Sequence, residues 1–277
     1  FAHHAVLGRA GANLRALVFN VKGEDLLWLD KPNARIAPEA REQWAALGVP
    51  AEPFPSVSLW APVRPGPELI PDTESRMEGV SAFSWTPLEF IERGLLRFLF
   101  TETGDFRAQL TFIEERVRAQ LIRHCEPDPR HPGVAIVEGT PIESLGDLVD
   151  LIELHVDPPD GEPEFAWTGR VAGGTGQAFM RRLHAAQSRI GRLIRPGGRR
   201  IDRLAESVCV VDIHKLSDFA QRFVVGAVLD EVFADKEATG QRHPLQMILL
   251  DELNKYAPRE GHSPIKDTLI DIAQRGR

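Results

Sequence analysis

Six residues near the carboxyl end constrain the fold most: Met247-Ile248-Leu249-Leu250, followed at once by Asp251-Glu252. Four apolar residues in a row, with no polar alternation, read as a strand buried on both faces in the middle of a parallel sheet covered by helices. The two acids then project from the strand's carboxyl end, where open α/β sheets gather their ligands. A paired Asp and Glu at that place can hold a Mg²⁺ and orient a water for attack on a phosphate. Acids after a strand also cap the helix that follows, so the motif alone leaves both readings open.

The rest of the chain fits a soluble α/β protein. With 277 residues, 43% hydrophobic and 26% charged, it can bury a large core as one elaborated domain or two modest ones. No apolar stretch reaches membrane-span length, and Phe1-Ala2-His3-His4 lacks the regions of a secretory signal, so no membrane partner and a cytoplasmic location are expected. Cys125 and Cys209 stand far apart, which supports neither a disulfide framework nor a four-ligand zinc site and suits ordinary buried thiols. A net charge of −7 argues against a surface that is basic throughout, although a local stripe can still bind phosphates. The start at Phe1 and the stop at Gln274-Arg275-Gly276-Arg277 suggest a fragment of a longer polypeptide.

Leu17-Val18-Phe19-Asn20-Val21 is a β-prone run followed by a turn at Lys22-Gly23-Glu24-Asp25. Prolines dominate 31–71, leaving room for a short helix at Pro38 to Leu47 and a strand at Val57-Ser58-Leu59-Trp60. Helical spacing then takes over between Trp85 and Ile194. One helix starts at Thr86-Pro87-Leu88-Glu89 and runs on through Leu99, a second covers Phe106 to His124, a third follows a capping box at Thr140-Pro141-Ile142-Glu143, and a fourth covers Gln177 to Ile194. Strand chemistry returns at Val208 to Ile213, with a helix after Ser217, a strand at Leu245 to Leu250 and a helix from Ser263-Pro264. Successive strand and helix units imply parallel pairing.

Three segments in order carry a resemblance. Leu17 to Asp25, ending in Gly-Glu, looks like the second core strand of the HerA/FtsK class of P-loop ATPases. Val210-Val211-Asp212-Ile213-His214-Lys215-Leu216 with Gln221-Arg222-Phe223 is similar to the strand and helix before the acidic motif of HerA-like proteins. Leu249-Leu250-Asp251-Glu252 with Gln274 to Arg277 resembles the Walker B strand and the helix beyond it. The resemblance implies a RecA-like core formed by 1–84 and 204–277, a mainly helical insertion at 85–203, ATP and Mg²⁺ as cofactors, and a ring, usually hexameric, that moves along DNA. Carried over by position, Asp251 would help hold Mg²⁺, Glu252 would polarise the attacking water, and Arg275 and Arg277 would lie near a subunit boundary, where a guanidinium can stabilise a neighbour's phosphates. The arginines equally suit the closing turn of a helix.

One departure bears on all of this. A P-loop needs Gly-x-x-x-x-Gly-Lys-Ser/Thr, because backbone N–H groups cradle the phosphates and the lysine neutralises them. No Gly-Lys dipeptide occurs in the chain; Leu7-Gly8-Arg9-Ala10-Gly11 and Gly173-Gly174-Thr175-Gly176-Gln177 both lack the lysine, and the second reads as a flexible helix entrance. The expectation is a loop upstream of Phe1, and poor ATP binding by these residues alone. For nucleic acid, the candidates are Arg181, Arg182, Arg189, Arg192, Arg195, Arg199, Arg200 and Arg203, a stretch whose single acid is Asp202. Alternatives are a non-catalytic nucleic-acid-binding or scaffold module on the same fold, and a conjugation- or secretion-type P-loop ATPase. His3-His4, His124 and His214 lack the partner spacing of a metal site.

Overall fold

The β-branched and aromatic run beginning at Leu14 forms β1 (Leu14–Asn20), the strand on which the sheet is organised. In this computed structural model residues 11, 13–100, 107–171, 173–241, 243–260 and 263–275 are described. After β1 come α1 (Pro38–Ala46), β2 (Val57–Pro62), β3 (Val80–Phe83), α2 (Pro87–Glu92), α3 (Arg107–His124), β4 (Cys125–Pro127), β5 (Ala135–Val137), β6 (Thr140–Ile142) and α4 (Leu145–Val156). The chain continues through α5 (Phe165–Thr168), α6 (Gly173–Ile190), β7 (Val208–Asp212), α7 (Asp218–Thr239), β8 (Leu245–Leu250), α8 (Leu253–Tyr256) and α9 (Pro264–Arg275). It divides into two compact units: Phe1–Ala82, Ile201–Lys215 and Asp235–Asp251 in one; Phe83–Arg200, Leu216–Ala234 and Glu252–Arg277 in the other.

The first unit is built on a sheet of order β3-β2-β7-β1-β8, the α/β architecture expected from the sequence. β1 lies parallel to β7 with Asn20 opposite Asp212, and parallel to β8 with Phe19 opposite Leu250. β2 is parallel to β7, with Trp60 opposite Val211. All five residues of β7 are buried, as two covered faces demand, and Val208 and Val210 pack with Ala16, Leu27, Leu59, Ala61 and Val80 in one cluster.

β8 overturns an expectation. The Met247 to Leu250 run was expected to be a central strand buried on both faces; its bounds are as expected, but it is the edge strand, with Leu245 54% and Leu249 41% exposed. An apolar run is compatible with burial without requiring it, because more than half of an ordinary protein surface is apolar.

The second unit is mainly helical and contains the three-stranded antiparallel sheet β4-β5-β6, which no helical period announces. Thr86 caps α2 as expected: its hydroxyl accepts from Glu89 N–H at 3.1 Å, and its own N–H donates to the Glu89 carboxylate at 2.9 Å. The helix does not run on to Leu99. Gly94, at φ +60°, ends it, and Leu95–Leu99 form a separate 3₁₀ turn. A capping box opens α4, but four residues later than expected: Ser144 and Asp147 make it, while Thr140-Pro141-Ile142 pair as the outer strand β6. Gly173 to Gly176, expected as a helix entrance, form the first turn of α6 itself, which ends at Ile190 rather than Ile194. Ser263 caps α9, accepting from Lys266 N–H at 3.1 Å.

Candidate functional site at the carboxyl edge of the sheet

Because side chains alternate along a strand, Asp212 at the end of β7 and His214 two residues on project to the same side. His214 Nδ1 lies 2.9 and 3.1 Å from the two Asp212 carboxylate oxygens. From the neighbouring strand Asn20 donates through Nδ2 to Asp212 Oδ1 at 2.8 Å and to the Gly23 carbonyl at 2.7 Å. The second bond closes the turn after β1, where Gly23 sits at φ +62°. That turn delivers Glu24, whose Oε1 faces His214 Nε2 at 3.9 Å.

A loop on the same unit completes the arrangement. Glu24 accepts from the backbone N–H of Glu74 at 2.6 Å and from the N–H and hydroxyl of Ser75. Lys215 Nζ reaches Asp72 Oδ1 at 3.0 Å and Glu74 Oε1 at 3.4 Å. Arg76 anchors the far side by donating to the Leu27 carbonyl, to the Glu78 carbonyl at 2.9 Å and to both oxygens of Asp30. The segment from Asp72 to Arg76 is thereby held against the ends of β1 and β7 at several points.

The two acids are tuned in opposite directions. Burial pushes the Asp212 carboxyl up from the ordinary aspartate value, and the neighbouring His214 only partly offsets it. Burial also pushes Glu24 up, but the Ser75 hydroxyl and the backbone N–H groups of Glu74 and Ser75 outweigh it and leave its pKa lowered. The two carboxyls of one cluster are thus shifted in opposite directions by their surroundings.

Glu24, Asp212 and His214 offer ligand atoms within 4.8 Å of one another. When Nδ1–H donates to Asp212, Nε2 is left as an electron-pair donor beside Glu24, the arrangement in which a carboxylate orients a metal-binding imidazole. The 3.9 Å between Nε2 and Oε1 is a span that two ligands, each about 2.1 Å from one ion, can bridge. The cluster fits a divalent cation. His214 therefore has, besides Asp212, a second acidic partner that its sequence neighbourhood does not reveal, since Glu24 comes from the turn after β1.

Asp251 follows Leu250 directly, at the same edge of the sheet, because Leu250 is opposite Phe19 and Asn20 is opposite Asp212. Asp251 and Glu252 are both exposed, and Glu252 takes a left-handed backbone at φ +55° as the chain turns into α8. A non-glycine residue in that conformation costs roughly 1 kcal/mol. In α8, Lys255 Nζ is held by Asp218 Oδ1 at 2.5 Å and Gln221 Oε1 at 2.6 Å.

The other candidates are scattered. Arg275 closes α9, and Arg277 and His3-His4 lie outside the described residues. The eight arginines do not form one solvated stripe: Arg203 is buried against Asp235, Arg200 pairs with Glu231, and Arg189 covers the Phe219 ring at 5.2 Å. Arg181 and Arg182 are exposed, as is Arg199, while Arg192 and Arg195 are partly buried. Cys209 is buried and Cys125 partly so, and burial pushes both thiols up to about 11, as inert structural cysteines require. Among the described residues no helix is long and apolar enough to cross a membrane. The site's acids were missed in the sequence because Glu24 and Asp212 follow apolar runs nearly 190 residues apart, with no spacing that joins them; the polar Asn20 inside the first run was the available signal. No protein-family model matches the chain, and neither does any curated protein.

Proposed function

We propose that these residues belong to a HerA/FtsK-class ATP hydrolase that takes Mg²⁺ and the phosphates of ATP at the carboxyl edge of the parallel sheet. The observation that carries the reading is the delivery of acids to one edge by three adjacent parallel strands: Asp212 from β7, Glu24 from the turn after β1, and Asp251 from β8. Oxygen-rich donor sets suit Mg²⁺, and the carboxyl edge is where ligands of open parallel sheets bind. In this reading Asp251 holds the metal and Glu252, on its strained turn, polarises the water. Asp212, hydrogen-bonded to Asn20 and His214, adds a further acid at the same edge.

The phosphate-cradling lysine is not supplied by these 277 residues, so hydrolysis is assigned to the full-length protein. A hexameric ring, DNA as cargo, arginine contacts from Arg275 and Arg277, and a cytoplasmic location belong to the same proposal. Turnover of ATP by the full-length protein with Mg²⁺ tests it. Glu252→Gln is expected to keep nucleotide binding and to lower turnover by about 10²- to 10⁴-fold, the usual contribution of a positioned base. Turnover equal to that of the unsubstituted protein removes Glu252 from the role, and an unsubstituted protein that never hydrolyses ATP removes the reading altogether.

A further inference from the structure

The second unit contains a cavity of about 740 Å³, within the size range of small-molecule sites. One wall is a single face of α6: Gly174, Ala178, Arg181, Arg182, Ala185 and Arg189 recur at helical spacing, so their side chains stack along one side of the helix. The small residues let a ligand approach the backbone while the three guanidiniums project beside it. Opposite stand Leu99 and Phe100, Leu110 of α3, and Phe219 of α7. Phe100 is already stacked on Phe179 at 4.8 Å, which fixes its ring as a rigid surface. Gln109 and Thr175 meet at the polar end, where the Thr175 hydroxyl donates to Gln109 Oε1 at 2.9 Å.

Charge is what makes this cavity specific. Among the described residues no carboxylate lines it, and Arg181 and Arg182 have neither a hydrogen-bond nor an ion-pair partner there. Among the described residues the Arg189 guanidinium rests on the face of Phe219. Arg93 in the same unit, by contrast, is neutralised by Glu231 at 2.9 Å. Two adjacent guanidiniums repel each other, and the positive end of the 18-residue α6 adds to the field near Gly174. An anion relieves that repulsion, and planar guanidiniums match phosphate oxygens in pairs.

We infer that this cavity binds an organic phosphate carrying a planar apolar group, with its phosphate on Arg181 and Arg182 and its ring between Phe100 and Phe219. An inorganic anion would leave the aromatic wall unused, and a fatty acyl chain has no need of several cations. The site does not depend on the proposed ATPase chemistry at the sheet edge.

The test is calorimetric titration of the chain with AMP and with pyrophosphate in the presence of a metal chelator, which silences any divalent-ion site. AMP is expected to bind saturably, and R181Q/R182Q to weaken both probes by about tenfold or more, the scale of losing a charge-assisted pair. Phe219→Ala is expected to weaken AMP and spare pyrophosphate, whereas Asp212→Asn, on the other unit, leaves both unchanged. Circular dichroism confirms that the variants fold, which the exposure of both arginines favours. Absence of saturable AMP binding, or binding retained by R181Q/R182Q, overturns the inference. So does a short single-stranded oligonucleotide that binds through the same arginines while AMP does not, because the ridge is then a nucleic-acid surface.

Discussion

β7 and β8 flank the same strand, run parallel to it, and carry equally apolar sequences, Val208-Cys209-Val210-Val211 and Met247-Ile248-Leu249-Leu250. Yet β7 is buried at every position, whereas β8 is partly or fully exposed along its length. The difference comes from neighbours. β7 is paired on both sides, with β2 and β1, and its residues are compact and mostly β-branched; β8 ends the sheet and contains Gln246 and the larger Met, Ile and Leu side chains. Hydrophobicity specifies that a segment can be covered, and pairing decides whether it is. The same contrast extends to the tips, where buried Asp212 has fixed partners and Asp251 projects from an edge.

The largest break in this comparison comes from putting a carboxylate in each strand. Val210→Asp buries an unpaired charge at a position with no exposure, and we expect a cost above about 4 kcal/mol, enough to prevent folding in many domains. Leu249→Asp can turn its carboxylate into water, and the expected cost is about 1 kcal/mol, chiefly lost strand preference. Urea unfolding measures both. Similar costs at the two positions would mean that β8 is covered in solution as completely as β7.

Trimming sharpens what charge breaks. Val210→Ala is expected to cost about 2 kcal/mol, because the β7 surroundings relax only partly around a lost branch. Leu249→Ala removes more carbon but from a side chain already 41% exposed, so about 1 kcal/mol or less is expected. If the larger truncation costs more, side-chain size and not strand position governs the sheet.

Much of the fold was legible because local patterns and the final packing agree. The bounds of β8, the start of α9 at Pro264 and the capping box of α2 follow from apolar runs and capping residues that need no distant partner. The failures share a cause too. Gly94 reads as one tolerable glycine in a helical period, but its left-handed backbone ends α2; Thr140 to Ile142 read as a helix entrance until β5 is there to pair with them. The candidate site was hidden for the same reason. Asp212 and His214 are two residues apart in sequence, but Glu24 and Asn20 reach them only through the pairing of β1 with β7. Side chains that meet across strands leave no spacing in the sequence to read.

The smallest expected effect concerns the buried tip of β7, and it is the one that ties stability to the site. Burial raises the Asp212 pKa in the folded chain above the unfolded value of about 3.9, so the folded state holds the proton more tightly. Between those two values the folded state binds more protons than the unfolded state, and stability must fall as pH rises through that window. Below the window the penalty is absent; above it the penalty is complete. Asp212→Asn should remove this slope, because Asn can still accept from Asn20 through Oδ1 and place its amide toward His214 Nδ1. At neutral pH the variant should match or exceed the unsubstituted chain in stability, while at low pH the two should converge. Parallel unfolding profiles for the two proteins across the window would show that Asp212 carries no such penalty. A carboxylate kept buried at the expense of stability is intelligible if its proton affinity serves chemistry at the sheet edge, and the slope is what distinguishes that carboxylate from one merely tolerated by the fold.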